Sequence, residues 1–370
     1  MDFERAKRRH NLKVIISEII MFSTVIITVI VLAFVVSGYW INEDFEVERQ
    51  GMLQVASYPG GASVSIDDEN SWLQRTTTSR VLPIGEHEII LTKDGYDTWA
   101  KVVNISEGLL YRIQYPRLFP LERKSAIVYD ATGASLAFLS DERDKLLIYH
   151  GDPNTVDVST FIDDNFSPSD KSAIISGWVL LELKSRDIEP KQVNYRILSE
   201  FFKQQKNSDD DNIDDYAIAS SLVGTEQLIF SKFYNEHYLT VIDGTSVALY
   251  EKSATEPLVK TELTFIPADT HVGEEGEFIV LSSGSQLATI DMESLSIREW
   301  SVGSDTFGWL DDSMIYEVAD GELIVYDYDG YNRRSLAKNV SNRFPISIVN
   351  DEWLYYFSDG NLIRENLIAR

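Results

Sequence analysis

The sequence of 370 residues contains no cysteine and comparatively few basic residues. The absence of cysteine excludes disulfide bonds, thiolate metal sites and cysteine nucleophiles. For a protein outside the cytoplasm it is more typical of bacteria than of the eukaryotic secretory pathway. The 33 Lys and Arg residues against 59 Asp and Glu give a net charge of −26. Because phosphate binding requires a basic surface, this charge disfavours a nucleic-acid partner.

Several motifs of enzymes are also absent from the sequence. It has no Gly-x-Ser-x-Gly elbow, no glycine-rich phosphate loop and no zinc motif. Its five histidines carry no neighbouring signature; they are His10, His87, His150, His237 and His271. We therefore predict no catalytic, cofactor-binding or metal-binding residue and no cofactor. A pair of catalytic carboxylates among the acidic residues stays open, because no sequence rule would reveal it.

One long apolar run stands near the N-terminus. The 22 residues Ile19–Trp40 carry no charge and would span about 33 Å as a helix, enough for a hydrocarbon core of about 30 Å. Tyr39 and Trp40 stand where an interfacial aromatic belt would lie. Five basic residues precede the run and acidic residues follow it directly. The positive-inside bias then predicts a single-pass transmembrane helix with a cytoplasmic N-terminus.

This run has two other interpretations, a cleaved signal peptide and a buried core helix. A cleaved signal peptide usually has an apolar region of about 7–15 residues, which is shorter, although Val36-Ser37-Gly38 could be cut by a permissive peptidase. A buried core helix rarely continues for six turns without a polar face. The residues after position 18 carry a net charge of −28, which disfavours docking on anionic lipid and is typical of a soluble surface.

Short alternating runs punctuated by Gly and Pro occupy the region from Gly51 to about Pro116 and predict a small β-sandwich. Tight turns are expected where glycine can supply a positive φ. The recurrent positions are Pro59-Gly60-Gly61-Ala62, Val64, Ile66-Asp67, Gly85-Glu86-His87, Ile89-Ile90-Leu91, Lys93-x-Gly95-Tyr96 and Trp99. This pattern resembles the PEGA domains, with Gly60 in place of the Glu that helps to name the family. The resemblance implies an extracytoplasmic, non-catalytic module of bacterial envelope proteins, used for interaction or spacing. A lone histidine at a strand entry is usually structural, so we assign His87 no site.

The C-terminal half contains a repeat of about 40 residues. Glycines 40, 37 and 39 residues apart each follow an apolar strand and precede another one; they are Gly244, Gly284, Gly321 and Gly360. We interpret each glycine as the turn of the inner hairpin of a propeller blade. Two weaker candidates, Ser135–Leu147 and Ile174–Leu183, bring the expected count to about six blades, with five or seven as alternatives. The last blade lacks an outer strand, which Ala126–Tyr129 could supply and so latch the ring.

Two acidic segments invite a calcium interpretation. Tyr326–Arg334 resembles the outer hairpin turn of TolB-type propellers, and its Asp327 and Asp329 also resemble the start of an EF-type loop. The later ligands of such a loop are missing, which favours the turn. The segment 208–215 holds five carboxylates without a glycine, so a solvated excursion between blades is favoured over weak calcium binding.

The sequence therefore predicts a mostly β chain of four parts: a cytoplasmic basic tail (1–18), a transmembrane helix (19–41), a PEGA-like β-sandwich (42–118) and a propeller-like domain (119–370). We expect a membrane-anchored binding or scaffolding protein of the bacterial envelope, with lipid and an unknown envelope protein or polysaccharide as partners. A surface hydrolase or lyase with its site in the propeller channel is the alternative. A signal-sensing ectodomain is disfavoured, because a tail of about 18 residues cannot hold an output domain.

Overall fold

The computed structural model describes residues 18, 20–30, 32, 39–41, 47–67, 69–162, 174–203, 213–219, 222, 224, 226–273, 276–304 and 307–369. The chain divides into two compact units. The first consists of Met1–Leu91 and Ala100–Gln114, and the second of Thr92–Trp99 and Tyr115–Arg370. The predicted domain limits at residues 18, 41 and 118 stay predictions.

A helix, α1, includes residue 18, residues 20–30 and residue 32. Within the described residues, no helix is both long enough and apolar enough to cross a bilayer. Residues 33–38 of the predicted span lie outside the described residues. Tyr39–Ile41 form a strand, β1, that pairs antiparallel with residues 47–49. In this structure the last three residues of the predicted span are thus part of a sheet.

The described residues of the first unit form two four-stranded sheets. One has the order β1-β2-β5, with β8 parallel to β2; its further strands are β2 (Val47–Val55), β5 (Thr78–Pro83) and β8 (Leu110–Ile113). The other has the order β4-β3-β6-β7, formed by β3 (Ser63–Ile66), β4 (Glu69–Arg75), β6 (Gly85–Thr92) and β7 (Trp99–Ile105). Thr92 and Trp99, at the ends of β6 and β7, are grouped with the second unit.

Side chains alternate between buried and exposed along these strands, as the sequence pattern predicts. Ile89 and Leu91 on β6 and Val103 and Ile105 on β7 are buried, while their neighbours Glu88 and Val102 are exposed. Successive residues of a strand point to opposite faces, so every second one enters the core.

The second unit is built from five four-stranded antiparallel sheets within its described residues, which we call blades. Blade 1 has β10 (Leu136–Leu139), β11 (Lys145–Tyr149), β12 (Ile174–Glu182) and β13 (Lys191–Asn194). Blade 2 has β14 (Gln227–Phe233), β15 (Glu236–Asp243), β16 (Ser246–Glu251) and β17 (Val259–Glu262). Blade 3 has β18 (Asp269–Val272), β19 (Phe278–Ser283), β20 (Gln286–Asp291) and β21 (Ser296–Ser301). Blade 4 has β22 (Phe307–Trp309), β23 (Met314–Ala319), β24 (Glu322–Asp327) and β25 (Arg334–Lys338). Blade 5 has β26 (Ser347–Val349), β27 (Trp353–Ser358), β28 (Asn361–Asn366) and β9 (Ser125–Asp130).

Five blades in the described residues replace the predicted six. The two N-terminal candidates, Ser135–Leu147 and Ile174–Leu183, are not separate blades, because β11 pairs with β12 inside blade 1. In its described residues, the chain between β13 and β14 forms helical segments, α3 (Tyr195–Lys203) and a 3₁₀ turn at Ile213–Asp215.

Shared apolar cores join the blades in the order 2, 3, 4, 5 and 1. Blades 2 and 3 share one core, blades 3 and 4 a second, blades 4 and 5 a third, and blades 5 and 1 a fourth. The other face of blade 1 is covered by Phe201 and Phe202 of α3, with Phe161 of α2 (Ser159–Ile162) beside them. The other face of blade 2 is covered by Tyr216 and Ile218. Helical and irregular segments thus cover the two blade faces, one on blade 1 and one on blade 2, that take no part in a core shared with another blade.

The predicted latch is confirmed. Strand β9 pairs antiparallel with β28, so a segment that precedes blade 1 supplies the outer strand of blade 5.

The four repeat glycines also lie at turns as predicted, all with positive φ. They connect the second and third strands of their sheets, however, so the hairpins are central rather than inner. The turn at 326–334 joins the third and fourth strands of blade 4, as expected of an outer hairpin.

Candidate functional site

A cleft between blades 3 and 4 opens beside their first strands and has a volume of about 370 Å³. This size lies in the lower part of the range of about 300–1,000 Å³ for small-molecule sites. Blade 3 and its central turn contribute Asp269, Thr270, His271, Val280, Ser282 and Gly284, and blade 4 contributes Phe307, Gly308 and Trp309. We call this site the blade 3–4 cleft.

Strand register explains which side chains face the cleft together. Asp269 pairs with Ser282 and His271 pairs with Val280, so all four share one face of blade 3. Phe307 and Trp309 share a face of blade 4 by the same alternation. Between them, Gly308 lies opposite Tyr316, whose ring stands about 3.0 Å from where a Cβ of residue 308 would be. A larger residue at 308 would therefore displace that ring.

Stacked aromatic rings form the deep wall of the cleft. The His271 imidazole stacks on the Trp309 indole with 3.7 Å between centroids and 17° between planes. Phe278 lies parallel to Trp309 at 5.8 Å and stacks on Tyr328 at 4.2 Å. Since Phe278 and Tyr328 are buried in the core shared by blades 3 and 4, the wall is held by the packing of both blades.

His271 is kept uncharged in this environment. Burial, together with the positive charge of Arg143, lowers the pKa of His271 to about 4, and Asp312 opposes this only in part. Arg143 and Asp312 form an ion pair of 3.5 Å, so their charges largely offset each other. The Nε2 atom of His271 is buried and has no hydrogen-bond partner among the described residues. The cleft lining therefore carries one formal charge at neutral pH, the exposed carboxylate of Asp269.

A buried carboxylate lies next to Phe307 on the same face of blade 4. Glu317 is directly opposite Phe307 in the strand register and is 1% exposed. Its Oε1 accepts a hydrogen bond of 2.5 Å from the Tyr326 hydroxyl, which in turn accepts one of 3.2 Å from Arg333 Nε. Its Oε2 has no partner within the described part of the chain. Carboxyl groups thus lie in the lining of the cleft, at Asp269, and beside its residue Phe307, at Glu317.

A second polar cluster surrounds the turn of the outer hairpin of blade 4. The Oδ2 atom of the buried Asp327 accepts hydrogen bonds from Trp99 Nε1 at 2.7 Å and from Asn332 Nδ2 at 2.8 Å, while its Oδ1 has no partner among the described residues. Burial first, and then the charge of Asp329, raises the pKa of Asp327 to about 7. The described residues contain no His, Asp and Glu grouping fit to hold a metal ion. The cluster holds the carboxyl group of Asp327, which is a weak acid, in a hydrogen bond with the indole N–H of Trp99.

The structure also places the residues discussed from the sequence. His87 is buried, with Nδ1 at 2.5 Å from Asp67 Oδ2 and Nε2 at 2.8 Å from the carbonyl of Pro83, which is a structural arrangement. His150 is hydrogen-bonded to the Tyr129 hydroxyl. His10 and residues 208–212 of the acidic segment lie outside the described residues, so calcium binding there stays untested.

Sequence reasoning missed the residues that form the cleft. In the sequence His271 carries no neighbouring signature, and Trp309 belongs to no recognisable motif. One signal in the sequence could have found them. Both residues lie on short segments just before a repeated apolar strand and its glycine turn, and these short segments are the first strands of consecutive blades. First strands of neighbouring blades approach one another, so polar and aromatic residues there are candidates for a shared site.

These observations define the class of the chain: a mostly β protein with a β-propeller C-terminal region. The family model of the PEGA domain matches residues 50–117, so the chain carries a PEGA domain there. Among solved structures it is similar to the Cps50 (Swd1) β-propeller domain of Myceliophteria thermophila, with 8% identity over 76% of this chain and 80% of that chain and a TM-score of 0.26. It is also similar to Hsv2 of Kluyvelomyces marxianus (9% identity, 64% and 62% covered, TM-score 0.27) and to a streptogramin B lyase (10% identity, 90% and 94% covered, TM-score 0.25). The comparison with curated proteins found no match.

Proposed function

We propose that the chain is a single-pass, membrane-anchored, extracytoplasmic binding or scaffolding protein of the bacterial cell envelope. Helix α1 is the observation that carries this proposal. Its apolar side chains are 56–63% exposed on every side; they are Ile20, Met21, Phe22, Val25, Ile26, Ile27, Val29, Ile30 and Leu32. A soluble protein would cover such a surface, and hydrocarbon would cover it equally well.

The polar groups of α1 also suit a lipid environment. The hydroxyls of Thr24 and Thr28 each donate a hydrogen bond of 2.8 Å to the carbonyl four residues earlier. In hydrocarbon a hydroxyl must find its partner within the protein, and these two have done so inside their own helix. The basic residues before the helix and the acidic residues after it favour an outward-facing PEGA domain and propeller.

The blade 3–4 cleft supports a binding role. It combines aromatic walls with the hydroxyl of Ser282 and the carboxylate of Asp269. Such a mixture of apolar surface and a few polar groups is typical of recognition sites. The partners we propose are membrane lipid at α1 and an envelope protein or polysaccharide at the propeller.

The topology can be tested by cysteine labelling, because the natural chain has no cysteine. Single variants His10→Cys and Glu256→Cys would be treated with a membrane-impermeant maleimide on intact cells and on lysed cells. We expect Glu256→Cys to react on intact cells and His10→Cys to react after lysis. Protection of both positions on intact cells, or labelling of both, would contradict a single outward-facing span.

A second candidate function is a hydrolase or lyase with its site in the same cleft. The observation that favours it is the proximity of His271 and Asp269, two groups that often take part in acid–base chemistry. Burial lowers the pKa of His271 to about 4, which makes it a weak base at neutral pH. Binding therefore remains the favoured role. Turnover of envelope glycans or peptides by the natural chain, abolished in His271→Ala, would favour the enzyme instead.

A further inference from the structure

The charge of the blade 3–4 cleft indicates what kind of ligand it can hold. Its lining contains the carboxylate of Asp269 and no Lys or Arg. Asp269 has no ion-pair partner within the described part of the chain, so its charge is available to a ligand. The Arg143–Asp312 pair near His271 is internally neutralised. A negative cleft in a protein of net charge −26 attracts cations and repels anions.

The buried carboxylate behind Phe307 points in the same direction. Glu317 is almost fully buried and one of its oxygens has no partner among the described residues. A buried acceptor left without a partner is unfavourable, and a nearby positive charge would relieve it. The aromatic side chains of Phe307 and Trp309 add surfaces that attract both hydrocarbon and cations.

We propose that the blade 3–4 cleft binds a small organic cation, whose charge faces Asp269 and whose hydrocarbon packs against Phe307 and Trp309. This inference deepens the proposed binding function and rests on it. The hydroxyl of Ser282 accepts a hydrogen bond from an ammonium or guanidinium group that bears N–H donors. The volume of about 370 Å³ limits the ligand to a small molecule or to the end of a longer chain.

The test compares a cation with its neutral counterpart of the same shape. Choline and 3,3-dimethylbutan-1-ol differ in replacing a quaternary nitrogen by carbon. Each would be titrated by calorimetry into the full chain in maltoside micelles, which carry no choline group. We expect choline to bind and the neutral alcohol to bind at least about fivefold more weakly, the factor that roughly 1 kcal/mol of charge attraction gives.

Matched variants separate the cleft from the general acidity of the protein. Asp269→Asn removes the charge at the cleft, whereas Asp243→Asn removes the same charge from an exposed strand end of blade 2. We expect Asp269→Asn to weaken choline binding about fivefold and Asp243→Asn to leave it unchanged, with equal melting temperatures confirming that both variants are folded.

Three results would overturn the proposal. They are equal binding of choline and the neutral alcohol, equal loss in both variants, and no choline binding at 20-fold excess over about 1 mM protein. Because the proposed topology is measured by cysteine labelling, a correctly oriented chain that fails to bind choline would refute the ligand class and leave the anchoring intact. A labelling pattern that contradicts the topology would refute the anchoring whatever the calorimetry shows.

Discussion

At the residue scale, Asp327 is a buried carboxyl group whose pKa is strongly raised. It is 1% exposed, and its pKa is raised from 3.8 to about 7, chiefly by burial. From about pH 4 to pH 7 the folded chain therefore holds a proton on Asp327 that the unfolded chain has released. Stability from this group is fully present below about pH 4, is lost as the pH rises towards 7, and is constant above that.

The variant Asp327→Asn tests this titration. Its amide oxygen can still accept the hydrogen bond from Trp99 Nε1, and it carries no charge to bury. We expect the variant to be more stable than the natural chain at pH 8 by about 1 kcal/mol or more, and the difference to shrink as the pH falls to 4.5. Thermal melts across this range measure it, with Asp243→Asn as the exposed control. Parallel curves for Asp327→Asn and the natural chain would contradict the raised pKa.

Trp99 is the other half of this contact. Trp99→Phe keeps an aromatic ring at the fully buried position and removes the donor to Asp327. We expect a loss of about 2 kcal/mol at pH 8, where the carboxylate is charged, and about 1 kcal/mol in the Asp327→Asn background. Urea melts of the four chains form a double-mutant cycle. A loss of equal size in both backgrounds would mean that packing, rather than the hydrogen bond, explains the effect.

At the element scale, the turns of the blades show how local sequence sets the hairpins. Gly244 and Gly330 both have positive φ, a conformation that costs an L-residue about 1 kcal/mol. Their surroundings differ. A Cβ at Gly244 would meet nothing within 4 Å, whereas one at Gly330 would stand 2.6 Å from the Trp300 ring.

This difference gives a matched pair of variants. We expect Gly244→Ala to cost about 1 kcal/mol through backbone strain alone. Gly330→Ala should cost about 1–3 kcal/mol more, because the indole of Trp300 must also move. Chemical denaturation of both variants measures the costs. Equal values would show that the outer hairpin of blade 4 relaxes without strain.

The latch strand β9 offers a second test among the elements. N–H groups alternate sides along a regularly paired strand, so one of the neighbouring residues Ala126 and Ile127 directs its N–H towards β28. Of the variants Ala126→Pro and Ile127→Pro, we expect one to lose about 3 kcal/mol or more and the other much less.

Thermal melts of the two proline variants are compared with Ala126→Thr and Ile127→Thr, which keep the backbone N–H. If both prolines are as stable as their threonine controls, β9 does not stabilise blade 5.

The blade count illustrates what element-level sequence reasoning can and cannot predict. The glycine turns of blades 2 to 5 were found because each hairpin is specified by a few adjacent residues. Blade 1 lacks this turn, since β11 and β12 are separated by α2 and residues 163–173. The sequence therefore suggests two blades where there is one, because neither half contains local information about the strand with which it pairs.

At the scale of the whole molecule, the excess of acidic residues should oppose folding. A net charge of −26 at pH 7 repels itself in the compact state, and salt screens this repulsion. We expect the melting temperature at pH 8 to rise by several degrees between about 20 mM and 500 mM NaCl. At pH 4.5, near the isoelectric point, the same salt increase should have little effect. An equal rise at both pH values would mean that salt acts by something other than screening.

The sequence by itself determined the parts of this protein that depend on neighbouring residues. These are the alternating strands, the turns at Gly244, Gly284, Gly321 and Gly360, the PEGA pattern, and the strand at 126–129 that completes blade 5. The reason is that short-range hydrogen bonds and the conformational freedom of glycine depend on only a few adjacent residues.

The tertiary structure alone decided the number of blades in the described residues and the composition of the blade 3–4 cleft. Asp269 and His271 come to lie beside Phe307 and Trp309, about 40 residues further along the chain, because two sheets pack face to face. It likewise set the neutral state of His271 and the raised pKa of Asp327, since burial depends on which distant residues cover a side chain. Sheet packing and burial depend on residues far apart in the sequence, and no local stretch of sequence encodes them.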